Sequence, residues 1–109
     1  MSETELDRNT LGGWSTVNPV TLEVIKICFE VKQLIQKRVE KENDLMIYNP
    51  LLYASQIVNG TNYVVKVLLS LDGLCVHMKI YQSLDCDGAK LSLIEIQFPK
   101  TFDDPLIPF

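Results

Sequence analysis

Between Val20 and Val39, apolar side chains return at helical spacing. At about 100° per residue, Val20, Val24, Ile27, Cys28, Val31, Leu34, Ile35 and Val39 fall in one broad stripe, with Glu23, Lys26, Glu30, Gln33 and Lys37 opposite. A helix with so wide an apolar face needs a large surface to lie on, so the rest of the chain must supply a second layer. The helix is predicted to start at Asn18-Pro19, because asparagine caps free amides and proline at the first helical position sacrifices no hydrogen bond. It runs to about Lys41; the charged residues 37–42 read as its solvated last stretch, and Asn43-Asp44 ends it. Leu22, Ile25 and Phe29 lie outside the stripe, where either a crossing strand or tail covers them or they form a weakly apolar exposed flank.

After residue 44 the period changes to two. Residues 45–55 form a strand interrupted at Asn49-Pro50, which suggests a bulge or an edge position. Residues 61–71 form the clearest strand: Tyr63, Val65, Val67 and Leu69 alternate with Asn62, Val64, Lys66 and Leu68, and Lys66 marks the wetter face. Asp72-Gly73 turns the chain into a third strand, in which Leu74, Val76, Met78 and Ile80 alternate with Cys75, His77, Lys79 and Tyr81. Residues 83–89 read as a hairpin loop. Residues 90–98 form the last strand, with Pro99 stopping it and Pro105 and Pro108 shaping an extended strap that ends in a packed Phe109. A long helix followed by antiparallel strands with short turns is an α+β arrangement.

The 109 residues are enough for one domain, expected over residues 11–109 behind a mobile polar tail at residues 1–10. Ten basic against fourteen acidic residues, with no basic run, disfavour nucleic acid and an anionic membrane surface. No segment approaches the roughly 20 apolar residues that span a bilayer, and the polar start reads against a secretory signal, so a soluble, cytoplasmic chain is expected. Cys28, Cys75 and Cys86 are odd in number and lack metal-knuckle spacing, which suits a reducing compartment. Cys28 and Cys75 read as small core residues and Cys86 as an exposed thiol without a base.

Reactive machinery is sparse. His77 is the only histidine, sits mid-strand and has no carboxylate spaced to orient it. Asp103-Asp104 and Asp85 with Asp87 read as solvated turns rather than metal ligands, and no nucleophile elbow or phosphate loop is present, so no catalytic residue, metal or cofactor is assigned. Asn59-Gly60-Thr61 has the form of a glycosylation sequon but reads as a turn. The unusual feature is instead a hairpin tip that is not polar. Asn59-Gly60 favours a tight turn, yet Ile57 and Val58 flank it; covering both would yield roughly 1.5–3 kcal/mol each. Such a tip can serve as an anchor in another protein's cleft.

Gln56-Ile57-Val58-Asn59-Gly60-Thr61-Asn62-Tyr63 resembles the QxVxG loop and following strand of the stefins, the intracellular cystatins. Gly12-Gly13 with Ser15 and Pro19, residues 76–84, and Asp103-Asp104, Leu106 and Phe109 extend the similarity over nearly all of residues 11–109. The resemblance implies the cystatin fold, one long N-terminal helix packed on a curled antiparallel sheet of four to five strands. It also implies reversible, tight-binding, competitive inhibition of papain-like cysteine proteases of the cathepsin type by a wedge of three segments. In that scheme Leu11, Gly12 and Gly13 form the trunk, Gln56, Ile57, Val58, Asn59 and Gly60 the first hairpin, and Ser83, Leu84 and Asp85 the second. Leu11 would fill the non-primed side, Gly12 would turn the trunk away from the thiolate, Ile57 and Val58 would press on the cleft wall, and Gln56 and Gly60 would hold the loop's shape.

Three departures stand out. Leu84-Asp85-Cys86 replaces the Leu-Pro usual in the second hairpin, Trp14 follows the glycine pair, and residues 1–10 exceed the usual lead. They motivate an alternative, a cystatin-fold interaction module with weak or no inhibition. A hot-dog thioesterase also wraps a sheet around a helix, but the wholly apolar helix stripe offers it no carboxylate or histidine. The expected species is mostly monomeric, with a domain-swapped or Cys86-linked dimer left open.

Overall fold

The computed structural model describes residues 13–39 and 47–109. Asn18 and Pro19 do not open a helix. They form a two-residue strand, β1 (Asn18–Pro19), with Asn18 opposite Tyr53 and Pro19 opposite Leu52. A proline is tolerated here because an edge strand needs no amide on its open side, and Val20 N–H bonds the Leu51 carbonyl at 3.1 Å. The cap is Thr21, whose hydroxyl accepts from Val24 N–H at 3.3 Å, so α1 spans Leu22–Glu30.

The expected single helix is divided in two. Val31 has φ −96° and ψ 4°, and α2 (Lys32–Val39) follows it. Leu34 N–H bonds the Val31 carbonyl at 3.0 Å, a 3₁₀-type contact that tightens the junction while the Val31 side chain stays buried. Burial of a β-branched residue of weak helical preference thus outweighs regular geometry at this point. The expected helix end at residues 41–44 and the start of the next strand at residue 45 lie outside the described residues. Val24, Ile27, Cys28, Val31, Ile35 and Val39 are all buried, whereas Leu34, at the border of the stripe, is 46% exposed. Of the residues outside the stripe, Leu22 and Phe29 form the exposed flank. Phe29 meets the Tyr48 ring edge-on at 5.3 Å, and the Tyr48 hydroxyl donates to the Cys28 carbonyl at 2.7 Å.

Strands β2 (Asn49–Val58), β3 (Gly60–Leu68), β4 (Leu74–Gln82) and β5 (Leu91–Thr101) extend β1 into an antiparallel sheet in the order β1-β2-β3-β4-β5. The register shift between Pro50 and Leu52 is the bulge expected near Pro50. Pro99, by contrast, does not stop the last strand. β5 lies at the sheet's edge and its pairing with β4 shifts between Cys75 and His77, so a residue without an amide is absorbed and the strand continues to Thr101.

The sheet has two covered faces. Tyr63, Val65, Val67, Leu69, Val76, Met78 and Ile80 pack on the helices. On the opposite face Ala54, Val64 and Leu106 form a second cluster, joined by Trp14, Leu52 and Phe109, so the C-terminal strap packs across this side. Lys66 is therefore not on a wet face. It is 3% exposed, and its ammonium donates to the Phe102 carbonyl at 2.6 Å and to the Asp104 carbonyl, which replace the water it gives up.

His77, opposite Lys66, is 1% exposed, and neither ring nitrogen has a hydrogen-bond partner among the described residues. Burial, then Lys66 of β3 and Lys100 of β5, against a weaker pull from Asp104 of the strap, push its pKa from 6.5 down to about 4. Nearby Cys75 is also buried, with its thiol pKa raised by burial. The imidazole thus folds neutral, while the unfolded chain takes up a proton below about pH 6.5. Stability conferred by the neutral ring is full above pH 6.5 and is lost as pH falls towards 4. Asp104 and Asp72, whose carboxyl pKa values are lowered below 3.8, act beneath that window. Urea midpoints should fall between pH 7 and 4.5, and His77→Phe should remove most of the fall; an unchanged slope in the variant would refute this assignment.

Candidate functional site

Strand register brings three segments to one end of the sheet. Val58 pairs with Gly60 across the first tip, Thr61 pairs with Gln82 beside it, and Gln82 pairs with Leu91 across the second. An isolated bridge between Trp14 and Gln56 lays the incoming chain along the outer side of the first hairpin. Ser15 fastens it there: its amide bonds the Ser55 carbonyl at 2.8 Å and its hydroxyl accepts from the Ser55 amide at 2.9 Å.

The first tip is tight, with Asn59 alone between the two strands. Its reversal rests on Gly60, which is buried at φ +108°. A Cβ there would stand 2.5 Å from the Gln82 carbonyl oxygen and 2.5 Å from the Tyr81 hydroxyl. That hydroxyl donates to the Asn59 carbonyl, bracing the apex from β4. At its base Asn62 Nδ2 donates to Gln56 Oε1 at 2.9 Å. Ile57 is 45% exposed and Val58 half-buried; alternation along the strand sends them to opposite faces. The tip presents an apolar side chain on a loop whose shape is fixed from below.

The second tip is a compact turn. Ser83 N–H bonds the Lys90 carbonyl at 2.9 Å, and the Ser83 hydroxyl accepts from Lys90 N–H at 2.7 Å. Between them a single 3₁₀ turn, Asp85–Asp87, ends at Gly88 with φ +90°. Leu84 is 41% exposed, and Asp85 and Cys86 are exposed beside it. Of the trunk, Gly13 is half-buried, while Leu11 and Gly12 lie outside the described residues.

Tyr81, Gln82, Asn62 and Ser15 are structural partners that the sequence analysis did not single out. Tyr81 and Asn62 are direct cross-strand neighbours, so pairing the two strands by their alternation was the signal available. The arrangement binds by shape and apolar contact. Among the described residues no three of His, Cys, Asp and Glu gather as metal ligands, and no helix is long and apolar enough to cross a membrane. Burial pushes the Cys28 thiol up to about 12, far from a reactive thiolate.

No family model matches the chain. It is 33% identical over 98 residues to cystatin-B of Oplegnathus fasciatus, covering 90% of this chain and 95% of that protein. It is 33% identical over 105 residues to leukocyte cysteine proteinase inhibitor 1 of Sus scrofa, covering 96% and 99%, and 32% identical over 100 residues to stefin-C of Bos taurus, covering 91% and 95%.

Gly60→Ala combines a positive φ with contact against backbone, and is expected to lower folding stability by roughly 1–3 kcal/mol in urea titrations. A loss below about 0.5 kcal/mol would mean that the brace yields freely.

Proposed function

The chain belongs to the stefin family of cystatins, and we propose that it is a reversible, tight-binding, competitive inhibitor of papain-like cysteine proteases of the cathepsin type. A single cystatin-like domain over residues 11–109 would block the active-site cleft with a wedge. Leu11 would occupy the non-primed side, Gly12 and Gly13 would carry the trunk past the thiolate, and Ile57 and Val58 would press on the cleft wall. Gln56, Asn59 and Gly60 would hold that loop, with Ser83, Leu84 and Asp85 adding the second contact. The observation that carries this reading is the half-exposed Ile57 on an apex braced by Tyr81 beside the second tip. A loop already held in shape loses little conformational freedom on docking, so its apolar contact appears as affinity. A cytoplasmic location accords with three free cysteines, Cys28, Cys75 and Cys86.

Titration of active papain or cathepsin L with the folded chain is the direct test. Absence of inhibition at micromolar concentration overturns the reading. Ile57→Asp should weaken inhibition at least tenfold, about 1.4 kcal/mol, because the charge is desolvated only in the complex. Its urea midpoint should stay near that of the wild type; an equal loss of stability would mean that Ile57 serves the fold instead.

One observation favours a second reading, an interaction module with weak or no inhibition: Asp85 and Cys86 stand exposed on the second tip. Leu84, at φ −62° and ψ 156°, already has the extended geometry a following proline requires, so Asp85→Pro fits the turn. It should strengthen inhibition under the first reading and change nothing under the second, as read from inhibition constants.

A further inference from the structure

Three segments far apart in sequence meet on the sheet face away from the helices. Trp14 packs against the Ala54, Val64 and Leu106 cluster, which Phe109 completes. The strap that carries Leu106 and Phe109 is fastened at its start. Lys66 Nζ donates to the Phe102 carbonyl at 2.6 Å, and Thr101 and Asp104 exchange bonds of 2.8 Å and 3.1 Å. From there it runs to Leu106, which is buried, and to Phe109 beside the tryptophan.

Trp14 also holds a particular place in the trunk. Gly12 and Gly13 have no side chains, so Trp14 is the last side chain able to fix the chain's direction before Leu11. Three residues of extended chain reach at most about 10 Å, so the heading of Trp14 decides which region Leu11 can sample. Two adjacent glycines magnify any looseness at that anchor, because each explores more backbone conformations than other residues. Ser15 pins the backbone to β2 just behind.

We infer that Leu106 and Phe109 are positioning residues for the trunk: by clamping Trp14 they aim the glycine pair, and Leu11 with it, at the cleft of the bound protease. This rests on the inhibitor reading above and deepens it, assigning to the C-terminal strap control over the contact at the opposite end of the chain. The strap acts through Trp14, so its contribution depends on the presence of the Leu11 side chain.

A double-mutant cycle with papain tests the inference on the full chain. Phe109→Ala should weaken inhibition about tenfold, chiefly through faster dissociation. In a Leu11→Ala background the same change should cost less than about twofold, since no anchored side chain remains to be misdirected. Trp14 is the only tryptophan, so its emission in the free protein should shift to the red in Phe109→Ala, with matched circular dichroism. Ile107→Ala, which alters an exposed strap residue, should leave inhibition and emission unchanged. If Phe109→Ala does not fold, Phe109→Leu enters the same cycle with a smaller expected effect. Equal fold-losses in both backgrounds, as direct contact of Phe109 with the protease would produce, overturn the inference, as does an unmoved emission. A wild-type chain that fails to inhibit overturns the inhibitor reading and this inference together; one that inhibits but shows equal losses overturns this inference alone.

Discussion

The apolar stripe of the helices, running from Val24 through Ile27, Val31 and Ile35 to Val39, is the constraint that organises the molecule. Each of these side chains contributes roughly 1.5–3 kcal/mol only if something apolar covers it. Tyr63, Val65, Val67, Val76, Met78 and Ile80 do so by facing one way at period two. That choice commits their alternating neighbours, Val64, Lys66, Cys75 and His77, to the other face. These neighbours are too apolar, or too tightly placed, to be left in water. The strap answers this second demand by bringing Leu106 over Val64 and two carbonyls to Lys66.

The candidate site follows from the same pairing with no further element. Once β3 and β4 meet in the register that buries their apolar halves, Thr61 must lie opposite Gln82, and both tips emerge side by side. Tyr81 then stands where its hydroxyl reaches the Asn59 carbonyl, and Gly60 is the only residue type that fits above it. Rigidity at the apex is thus a by-product of core register, since the groups that fix it belong to strands already held by burial.

Much of this was legible in the sequence wherever the signal was local. The β3–β4 turn at Asp72-Gly73, the alternation of Tyr63, Val65 and Val67, and the bulge near Pro50 each stand out within a few residues. The misreadings share a different origin. Asn18-Pro19 offers the same local chemistry to a helix start as to an edge strand, and the β2 residues that decide the matter lie more than thirty positions away. Lys66 reads as solvated until the chain returns at Phe102 and Asp104. Pro99 reads as a stop because its tolerance depends on β5 having one unpaired side. The bracing of Asn59 by Tyr81 spans twenty-two positions and involves no hydrophobic pattern at all.

The support of the first tip comes from β4, while the side chains it presents belong to β2. Form and contact are therefore encoded by different residues. Ile57 can change its size or shape without disturbing Gly60, Tyr81 or the ladder beneath them. Selection, or a designer, can retune which enzyme is preferred by editing that position as an interchangeable bit, while the shank that carries it remains untouched.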